Sequence, residues 1–181
     1  MSYDLNNDIE KIFVTEDQIK EITKRVGSAI NRDYADKDPL FIGLLKGCLP
    51  FMSDLLKYVD IKCSVDYLKC SSYSGTKSLG TITVKGDVPK VEGRDVIVVD
   101  DILDSGRTIS AVKNLFMQNG AKSVAFCVFL DKPEGRVVDI TPSYVGGLVP
   151  NEFVVGYGLD YEEHYRNLPY VGVLKEEIYK K

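Results

Sequence analysis

One segment of the chain, residues 96–109, constrains the fold more than any other. It reads VIVVDDILDSGRTI, so four consecutive apolar residues are followed at once by two acids, Asp100 and Asp101. An uninterrupted apolar run of this length is typical of a strand that is buried on both faces in a parallel sheet. The acids then fall at the carboxyl end of that strand, where open α/β sheets bind their ligands. The segment therefore predicts an α/β fold with a polar site at this edge of the sheet.

The turn that follows the acids has the composition of an anion-binding loop. Two apolar residues separate the acidic pair from Asp104, which is followed by Ser-Gly-Arg-Thr at residues 105–108 and then by helical sequence. Backbone N–H groups and two hydroxyls in such a turn can point at a phosphate, with a helix N-terminus behind them. Acid pairs and Ser-Gly turns are each common, but the combined DDxxDSGxT spacing after a buried strand is specific. It indicates a ligand that carries both hydroxyl and phosphate groups.

An acid pair after an apolar strand also occurs in the receiver domains of bacterial response regulators. There the pair follows the first strand of the domain, and a phosphoacceptor aspartate comes one strand later. Here 99 residues precede Asp100, and the phosphate-type turn follows the acids directly. The sequence therefore excludes the receiver interpretation.

Length, charge and hydropathy restrict the class of protein. The chain has 181 residues, and we expect residues 1–181 to form a single domain with one sizeable core. The formal net charge is −4 and no Lys/Arg cluster stands out, so we expect neither nucleic acid nor a membrane as partner. No apolar stretch approaches the roughly 18 residues of a spanning helix. The acidic, polar start is unlike a signal peptide, and these features predict a cytoplasmic protein.

The cysteines give no sign of a metal centre or a catalytic dyad. None of the four cysteines lies in a CxxC pair, and the only histidine, His164, is remote in sequence from all of them. A zinc site needs clustered Cys and His ligands. We therefore expect reduced, chemically idle thiols, and we expect His164 on the surface.

Hydrophobic periodicity and turn residues outline an alternation of strands and helices. Such alternation implies a mainly parallel, three-layer α/β architecture. The last third, from Tyr144, is expected to form short strands and irregular segments. In chain order the predicted elements are a helix with a capping box at Thr15 and Gln18, a strand at 40–45, a helix at 48–59 with Pro50 in its first turn, a strand at 61–67, an excursion with a short hairpin at 71–86, the strand at 96–99, a helix from Arg107 to about Gly120, and a strand at 123–130.

Four separated segments of the chain can be compared with known families. They are Leu45-Lys46-Gly47, Ser72-Tyr73, residues 100–108 (DDILDSGRT), and Lys132 followed by residues 153–166 (FVVGYGLDYEEHYR). Together they resemble the hypoxanthine–guanine phosphoribosyltransferase family, from about residue 8 to residue 175. The last segment is the most discriminating, because other phosphoribosyltransferases lack it. Two departures are that many members have Glu-Asp in place of Asp100-Asp101, and that Cys48 follows the first segment.

The resemblance implies a fold, a reaction and partners. The fold would be the type I phosphoribosyltransferase fold, with a mainly parallel central sheet flanked by helices, a small hood region and a mobile lid loop that includes Ser72 and Tyr73. The reaction would transfer the 5-phosphoribosyl group from phosphoribosyl pyrophosphate to N9 of hypoxanthine, guanine or xanthine. It would release IMP, GMP or the xanthine nucleotide together with pyrophosphate. The family also implies Mg²⁺ as cofactor and a homodimer or homotetramer.

The resemblance assigns ribose, metal and phosphate contacts to several residues. Asp100 and Asp101 would hold the ribose hydroxyls and help to bind the metal, which Asp160 would bind directly or through water. Lys46 and Gly47 would hold pyrophosphate through backbone N–H groups, and the Leu-Lys peptide is cis in many family members. The guanidinium of Arg166 would add a donor to pyrophosphate. The residues expected to hold the 5′-phosphate are Asp104, Ser105, Gly106, Arg107 and Thr108.

The purine side of the site is expected to depend on four binding residues and one general base. An ammonium group can only donate hydrogen bonds, so Lys132 would bind the C6 carbonyl of a 6-oxopurine and would face the 6-amino group of adenine donor to donor. Phe153 would stack on the purine, and the backbone at Val154 and Asp160 would read the C2 side. Asp104 would act as general base at N7, which prevents positive charge from building up on the base as N9 attacks C1′.

The alternatives are a phosphoribosyltransferase for another base and a regulator that binds nucleic acid. An adenine, orotate or uracil phosphoribosyltransferase would share residues 100–108, but Lys132 and residues 153–166 oppose each of them. A regulator that kept the ribose-phosphate fold and bound RNA or DNA would need a basic surface, whereas the chain has 23 basic and 27 acidic residues. The sequence therefore favours the 6-oxopurine enzyme. It does not rank hypoxanthine, guanine and xanthine, because the C2 side would be read largely by backbone.

Overall fold

Strands and helices alternate along most of the chain, as the sequence predicts. The computed structural model describes residues 4–72 and 82–180. Apart from two short 3-10 helices at Leu5–Asp8 and Pro133–Gly135, the elements are β1 (Ile9–Val14), α1 (Glu16–Asp33), β2 (Leu40–Leu45), α2 (Leu49–Leu56), β3 (Ser64–Ser72), β4 (Ile82–Val84), β5 (Asp95–Leu103), α3 (Arg107–Gln118), β6 (Ser123–Asp131), β7 (Tyr144–Leu148), β8 (Val154–Val155), β9 (Val171–Leu174) and α4 (Glu176–Tyr179).

The strands of the described residues form two sheets. The larger sheet has the order β4-β3-β2-β5-β6-β7, and every neighbouring pair in it is parallel except β3 and β4. Because β5 lies between β2 and β6 and runs parallel to both, the carboxyl ends of these three strands meet at one edge of the sheet. The predicted α/β fold with a mainly parallel central sheet is confirmed.

The apolar run at residues 96–99 lies in the centre of this sheet. All four residues from Val96 to Val99 are inaccessible to solvent. Ile97 and Val99 point to the face that α1 and α2 cover, whereas Val96 and Val98 point to the face that α3 covers. Alternating side chains of one strand therefore contribute to two separate apolar clusters, which explains why the run shows no polar alternation.

The second sheet is small and antiparallel, with the order β1-β9-β8. It joins the N-terminal strand to the C-terminal part of the chain and matches the hood region implied by the resemblance. β1 is not among the predicted elements, because Glu10 to Ile12 are all exposed and its apolar pattern is weak. Its position depends on pairing with β9, about 160 residues later in the chain.

Most element boundaries lie close to their predicted positions. Thr15 and Gln18 form the predicted capping box at the start of α1, and Gly120 takes a left-handed conformation just after α3. β3 begins at residue 64, three residues later than expected, and continues to Ser72. Tyr73 and most of the predicted lid lie outside the described residues. Among the described residues no helix combines the length and the apolar character that a membrane crossing requires.

Candidate active site at the carboxyl edge of the central sheet

The carboxyl ends of β2, β5 and β6 bring three of the sequence segments together. Lys46 and Gly47 follow β2 directly, and Asp100 and Asp101 form the last part of β5. Lys132 is the first residue after β6, and its N–H donates to the carbonyl of Leu103 at the end of β5 (2.9 Å). Parallel neighbours end at the same edge of a sheet, so segments that are up to 86 residues apart in sequence meet here.

Two adjoining cavities lie at this edge. The first has a volume of about 450 Å³ and includes predicted ribose and pyrophosphate residues in its wall, whereas the second, of about 260 Å³, includes predicted purine residues. Asp101 and Asp160 line both cavities, so the two volumes are neighbours. The first is lined by Leu44, Leu45, Lys46, Gly47, Cys70, Asp100, Asp101, Thr108 and Asp160. The second is lined by Asp101, Ile102, Asp104, Lys132, Glu152, Phe153, Val154, Leu159 and Asp160.

The loop after β2 packs tightly on the acids of β5. The Leu45–Lys46 peptide is cis, and Gly47 is buried directly beside the carboxyl group of Asp101. A Cβ atom at position 47 would overlap that carboxyl group, and a Cβ atom at Gly158 would overlap the Gly47 carbonyl. Glycine at both positions therefore lets the Gly47 loop lie directly against the Asp101 carboxyl group on one side and the Gly158 backbone on the other.

Asp100 and Asp101 of β5 lie buried next to each other, an environment that disfavours two negative charges. Burial raises the pKa of Asp100 well above its ordinary value, and the neighbouring Asp101 raises it further. Burial also raises the pKa of Asp101, although the N–H of Ile102 and the guanidinium of Arg166 oppose that shift. The Asp101 N–H donates to Asp100 Oδ1 (3.0 Å), which fixes the first carboxyl group against the backbone. A cation between or beside these oxygens would relieve their electrostatic strain.

The predicted pyrophosphate cations are paired with acids of the 160–166 loop. The ammonium of Lys46 binds Glu163 (2.7 Å), and Arg166 binds Asp160 (2.8 Å) and the Gly158 carbonyl (2.7 Å). The pKa of Glu163 is lowered, mainly by its hydrogen bond from Lys46. The buried Nε of Arg166 has no hydrogen-bond partner within the described residues. Glu163 lies in one of the four matching segments, but its pairing with Lys46 could not be read from sequence.

The turn between β5 and α3 has the geometry of an anion-binding loop. Gly106 takes a left-handed conformation (φ +79°) immediately before α3, and the N–H of Arg107 donates to the Ser105 hydroxyl (3.4 Å). The N-cap residue of α3 is a glycine and supplies no side-chain cap, so the Ser105 hydroxyl is the side-chain group that meets the start of this helix. Thr108 lines the first cavity, whereas the side chain of Arg107 is exposed. The turn can therefore accept an anion at a helix N-terminus.

The second cavity combines one exposed carboxylate, one ammonium and one aromatic ring. Asp104 and Lys132 face it from the ends of β5 and β6, and Phe153 faces it from just before β8. The ring of Phe153 stacks on Tyr179 of α4 (centroids 4.8 Å apart, planes at 23°) and meets the edge of Tyr161 (5.7 Å). Tyr179 and its support of Phe153 were not foreseen, since no sequence motif connects α4 with this segment.

Two further residues near the second cavity were missed by sequence reasoning. Glu152 lines the cavity and pairs with Lys11 of β1 (2.6 Å). Arg136 donates to the backbone carbonyl of Asp104 (3.0 Å) from the segment that follows β6. Neither position belongs to a recognisable spacing pattern, so only the folded chain reveals them. Val154, which was expected to read the base through its backbone, is buried and lines the same cavity.

Comparisons with known proteins point to one family. A family model described as "Phosphoribosyl transferase domain" matches residues 14–162. The "Hypoxanthine-guanine phosphoribosyltransferase" of Streptococcus pneumoniae is 50% identical over 177 residues, which are 97% of this chain and 98% of the relative. The protein of that name in Streptococcus agalactiae is 51% identical over 179 residues, covering 98% and 99% of the two chains.

A solved structure extends the likeness to three dimensions. The crystal structure of a hypoxanthine phosphoribosyltransferase from Staphylococcus aureus superposes with a TM-score of 0.95, at 42% identity and with full coverage of both chains. Sequence identity of this size over the whole length goes together with the same overall fold. The chain therefore belongs to the phosphoribosyltransferases and, within them, to the hypoxanthine-guanine phosphoribosyltransferase family.

Proposed function

We propose that this chain transfers the 5-phosphoribosyl group from phosphoribosyl pyrophosphate to N9 of hypoxanthine or guanine in purine salvage. The products are IMP or GMP and pyrophosphate. The observation that carries this proposal is the pair of adjoining cavities that share Asp101 and Asp160. One cavity offers the Lys46 side chain, the Gly47 backbone and carboxylates, which suit a phosphorylated ribose, and the other offers the Phe153 ring, the Lys132 side chain and carboxylates, which suit a purine.

In the reaction the C1′–O bond to pyrophosphate breaks while the N9–C1′ bond forms. Asp104 lies at the wall of the purine cavity and takes the proton from N7 as N9 attacks, so the base does not accumulate positive charge. Lys46, the Gly47 backbone and Arg166 bind the departing pyrophosphate, whose negative charge increases as the bond breaks. The proton ends on the Asp104 carboxylate and the bonding electron pair ends on the pyrophosphate oxygen.

Binding of the cationic side chains to pyrophosphate requires an exchange of partners. Lys46 and Arg166 are each paired with an acid of the 160–166 loop, at distances of 2.7 and 2.8 Å. These pairs are partly exposed, so each contributes little to stability and can be replaced at low cost. The doubly charged phosphate groups are stronger acceptors than a single carboxylate, which favours the exchange.

The carboxylates at the shared wall suit Mg²⁺. Magnesium usually binds one or two protein carboxylates and takes its other ligands from water and substrate phosphates. Asp100, Asp101 and Asp160 all line the first cavity, and burial raises the pKa of the first two. Within the described part of the chain, no group of three or more His, Cys, Asp or Glu residues is arranged to hold a metal ion by itself. Bound there, Mg²⁺ would withdraw charge from the leaving pyrophosphate.

Lys132 supports the choice of a 6-oxopurine. Lys132 lines the cavity that Phe153 also lines, and an ammonium can donate to a C6 carbonyl but cannot accept from a C6 amino group. A polar site of this kind rejects a substrate that leaves its donor unpaired. Phe153 would contribute stacking on the purine, and the backbone at Val154 and Asp160 would read the C2 side.

Initial rates with hypoxanthine, guanine, xanthine and adenine test the proposed function. We expect nucleotide formation from hypoxanthine and guanine, and rates at least about 10⁴-fold lower with adenine. Xanthine has the same C6 carbonyl, so we also expect measurable turnover with it. All of these rates should require Mg²⁺ and phosphoribosyl pyrophosphate. Turnover of adenine at a rate comparable with that of hypoxanthine would contradict the proposed substrate class.

Domain organisation, oligomeric state, location in the cell and the lid are further parts of this proposal. We infer that residues 1–181 act as a single phosphoribosyltransferase domain, that copies of the chain associate as a homodimer or homotetramer, and that the enzyme works in the cytoplasm. Ser72 is the last residue of β3, and Tyr73 lies beyond the described residues. Their proposed role is to cover the reaction centre, because water would otherwise capture the oxocarbenium-like ribose.

A further inference from the structure

The guanidinium of Arg136 connects three separate parts of the chain. Its Nε donates to the backbone carbonyl of Asp104 (3.0 Å), one terminal nitrogen donates to Asp131 at the end of β6, and the other donates to the carbonyl of Ile140. The side chains of Arg136 and Asp131 are only 16% and 12% exposed. This is a largely buried, fully engaged ion pair rather than a surface contact.

The segment that carries Arg136 is also bonded to the active-site turn through its backbone. The N–H of Lys132 donates to the Leu103 carbonyl (2.9 Å), and the N–H of Val137 donates to the Ser105 carbonyl (3.1 Å). Together with the bond from Arg136 to Asp104, three consecutive carbonyls of the turn are held by this one segment. Its position therefore determines where the turn lies.

The same segment contacts the carboxyl group that performs the proposed chemistry. The Asp104 carboxyl group lies against Gly135, where a Cβ atom would overlap Oδ1. A Cβ atom at Gly106 would meet Val138 (2.7 Å) and Ile140 (2.9 Å) on the other side of the turn. Asp104 is thus fixed at two points: its carbonyl accepts a hydrogen bond from Arg136, and its carboxyl group lies against Gly135.

We propose that Arg136 is a positioning residue, which sets Asp104 in place relative to Lys132 by bonding the Asp104 carbonyl and the Asp131 carboxylate with one planar group. The inference rests on the proposed roles of Asp104 at N7 and Lys132 at the C6 carbonyl. N7 and the C6 oxygen lie on one edge of the purine, so the two side chains must keep a fixed separation. Asp131 adjoins Lys132 in the chain, and the guanidinium therefore connects both contacts to the base.

A lysine in place of Arg136 would keep the charge but lose this connection. The guanidinium has donors in a rigid fork, whereas an ammonium is a point charge on a flexible stem and cannot hold three acceptors in fixed directions. The Arg136→Lys variant retains a cation for the buried Asp131 carboxylate, so it is expected to fold. Small displacements of reacting groups cost up to about 10²-fold in rate, and we expect a loss of at least about tenfold in the single-turnover rate.

The matched control is Arg94→Lys, the same substitution at the opposite edge of the sheet. Arg94 also bonds a side chain and a backbone carbonyl, Ser64 Oγ at 2.6 Å and the carbonyl of Asp38 at 3.2 Å. Single-turnover rates are normalised to the concentration of protein that binds phosphoribosyl pyrophosphate, so that an unfolded fraction does not lower the measured rate. A positioning role predicts slow transfer and a raised KM for hypoxanthine in Arg136→Lys only. A wild-type rate in that variant, or equal slowing in Arg94→Lys, overturns the proposal.

A double-mutant cycle tests whether Arg136 acts through Asp104. In the Asp104→Asn background, where no proton acceptor is left to position, adding Arg136→Lys should slow transfer by less than about twofold. A full, multiplicative loss in that background overturns the positioning role. The single variant Asp104→Asn reports separately on the proposed function, since a wild-type rate there contradicts the base assignment whatever Arg136→Lys does.

Discussion

The two cavities of the site are built in different ways. The cavity proposed for ribose and pyrophosphate is formed mainly by the ends of β2 and β5 and the start of α3, and the absence of a Cβ at Gly47 and Gly158 leaves room for the Asp101 carboxyl group and the Gly47 carbonyl. The cavity proposed for the purine is formed by side chains from the ends of β5 and β6 and from the segment before β8. The first depends on local chain geometry, whereas the second depends on how distant segments are packed.

This difference determines how each half should respond to substitution. Phosphate binding by backbone groups is lost when the loop cannot take its conformation, and chemically conservative changes of loop side chains matter less. Purine binding by side chains is lost when one functional group is removed, although the loop stays in place. The following variants are designed to separate these two kinds of effect.

The largest effect is expected for Asp104→Asn in the purine half. The amide keeps the size and most hydrogen bonds of the carboxylate but cannot take a proton, a loss worth about 10²–10⁴ in the chemical step. Single-turnover rates are the appropriate measurement, because product release can limit kcat. The exposed Asp139, in the segment that packs on the same turn, provides the control Asp139→Asn, which should transfer at the wild-type rate. A wild-type single-turnover rate for Asp104→Asn is incompatible with its role as base.

The next effect is expected for Gly47→Ala in the phosphate half. A methyl group at this position overlaps the Asp101 carboxyl group, so the loop must shift away from the first cavity. We expect the Kd for phosphoribosyl pyrophosphate to rise by up to about 10²-fold, as for other misplaced binding groups. The control is Gly147→Ala in β7, where the added Cβ meets only Leu130 at 3.8 Å. Titration of both variants with the substrate checks this, and unchanged affinity in Gly47→Ala would refute the close-packing argument.

A smaller effect is expected for Lys132→Ala, which removes one side-chain donor from the purine half. Hydrogen bonds to charged groups contribute about 1.5–3 kcal/mol, so kcat/KM for hypoxanthine should fall roughly 10- to 100-fold while the Kd for phosphoribosyl pyrophosphate changes little. Discrimination against adenine should relax at the same time. Lys122→Ala, which removes an exposed lysine at the opposite edge of the sheet, is the control. Retention of the wild-type base preference in Lys132→Ala would show that another group reads C6.

The smallest effect is a pH dependence of stability at Asp100. Burial raises its pKa, so between the ordinary aspartate pKa and the raised value the folded chain holds a proton that the unfolded chain lacks. Folding stability at this site is therefore lost as pH rises through that window. In the absence of ligands, Asp100→Asn should raise the Tm relative to wild type, and the difference should grow as the pH rises above the ordinary pKa of aspartate. About 1 kcal/mol corresponds to ~2–4 °C in a chain of this size. A difference in Tm that does not change with pH would contradict the burial argument.

The part of the phosphate half between β5 and α3 could be predicted from the residues alone because its components are contiguous, whereas Lys46, Gly47 and Arg166 followed from the resemblance. A buried strand, two acids and a Gly-containing turn before a helix occur within 14 residues, and each step follows from local geometry. The purine half was predicted only in part. Lys132 and Phe153 follow from the resemblance, but the stacking of Tyr179 on Phe153 and the bond from Arg136 to Asp104 depend on long-range packing.

The same distinction applies to the elements of the fold. β2, β5 and β6 were predicted because each is a continuous apolar run, and α1 because its capping box and periodicity are local. β1 was not predicted, since three consecutive exposed residues hide its apolar pattern, and only its pairing with β9 defines it as a strand. In the same small sheet β8 pairs with β9, but β8 has only two residues and is too short to show a hydrophobic periodicity in the sequence.

By itself the sequence determined the central parallel sheet, the acids at its carboxyl edge and the anion-binding turn, because hydrophobic burial and turn geometry act over a few neighbouring residues. Only the tertiary structure decided which acid pairs with Lys46, which ring supports Phe153 and which cation holds the Asp104 backbone. Those partners lie 117, 26 and 32 residues away along the chain. The contact of Arg136 with Asp104 exists only after β5 and β6 have paired in parallel, and that of Tyr179 with Phe153 only after β8 and β9 have paired antiparallel, since strand pairing, and not any local preference, brings these segments together.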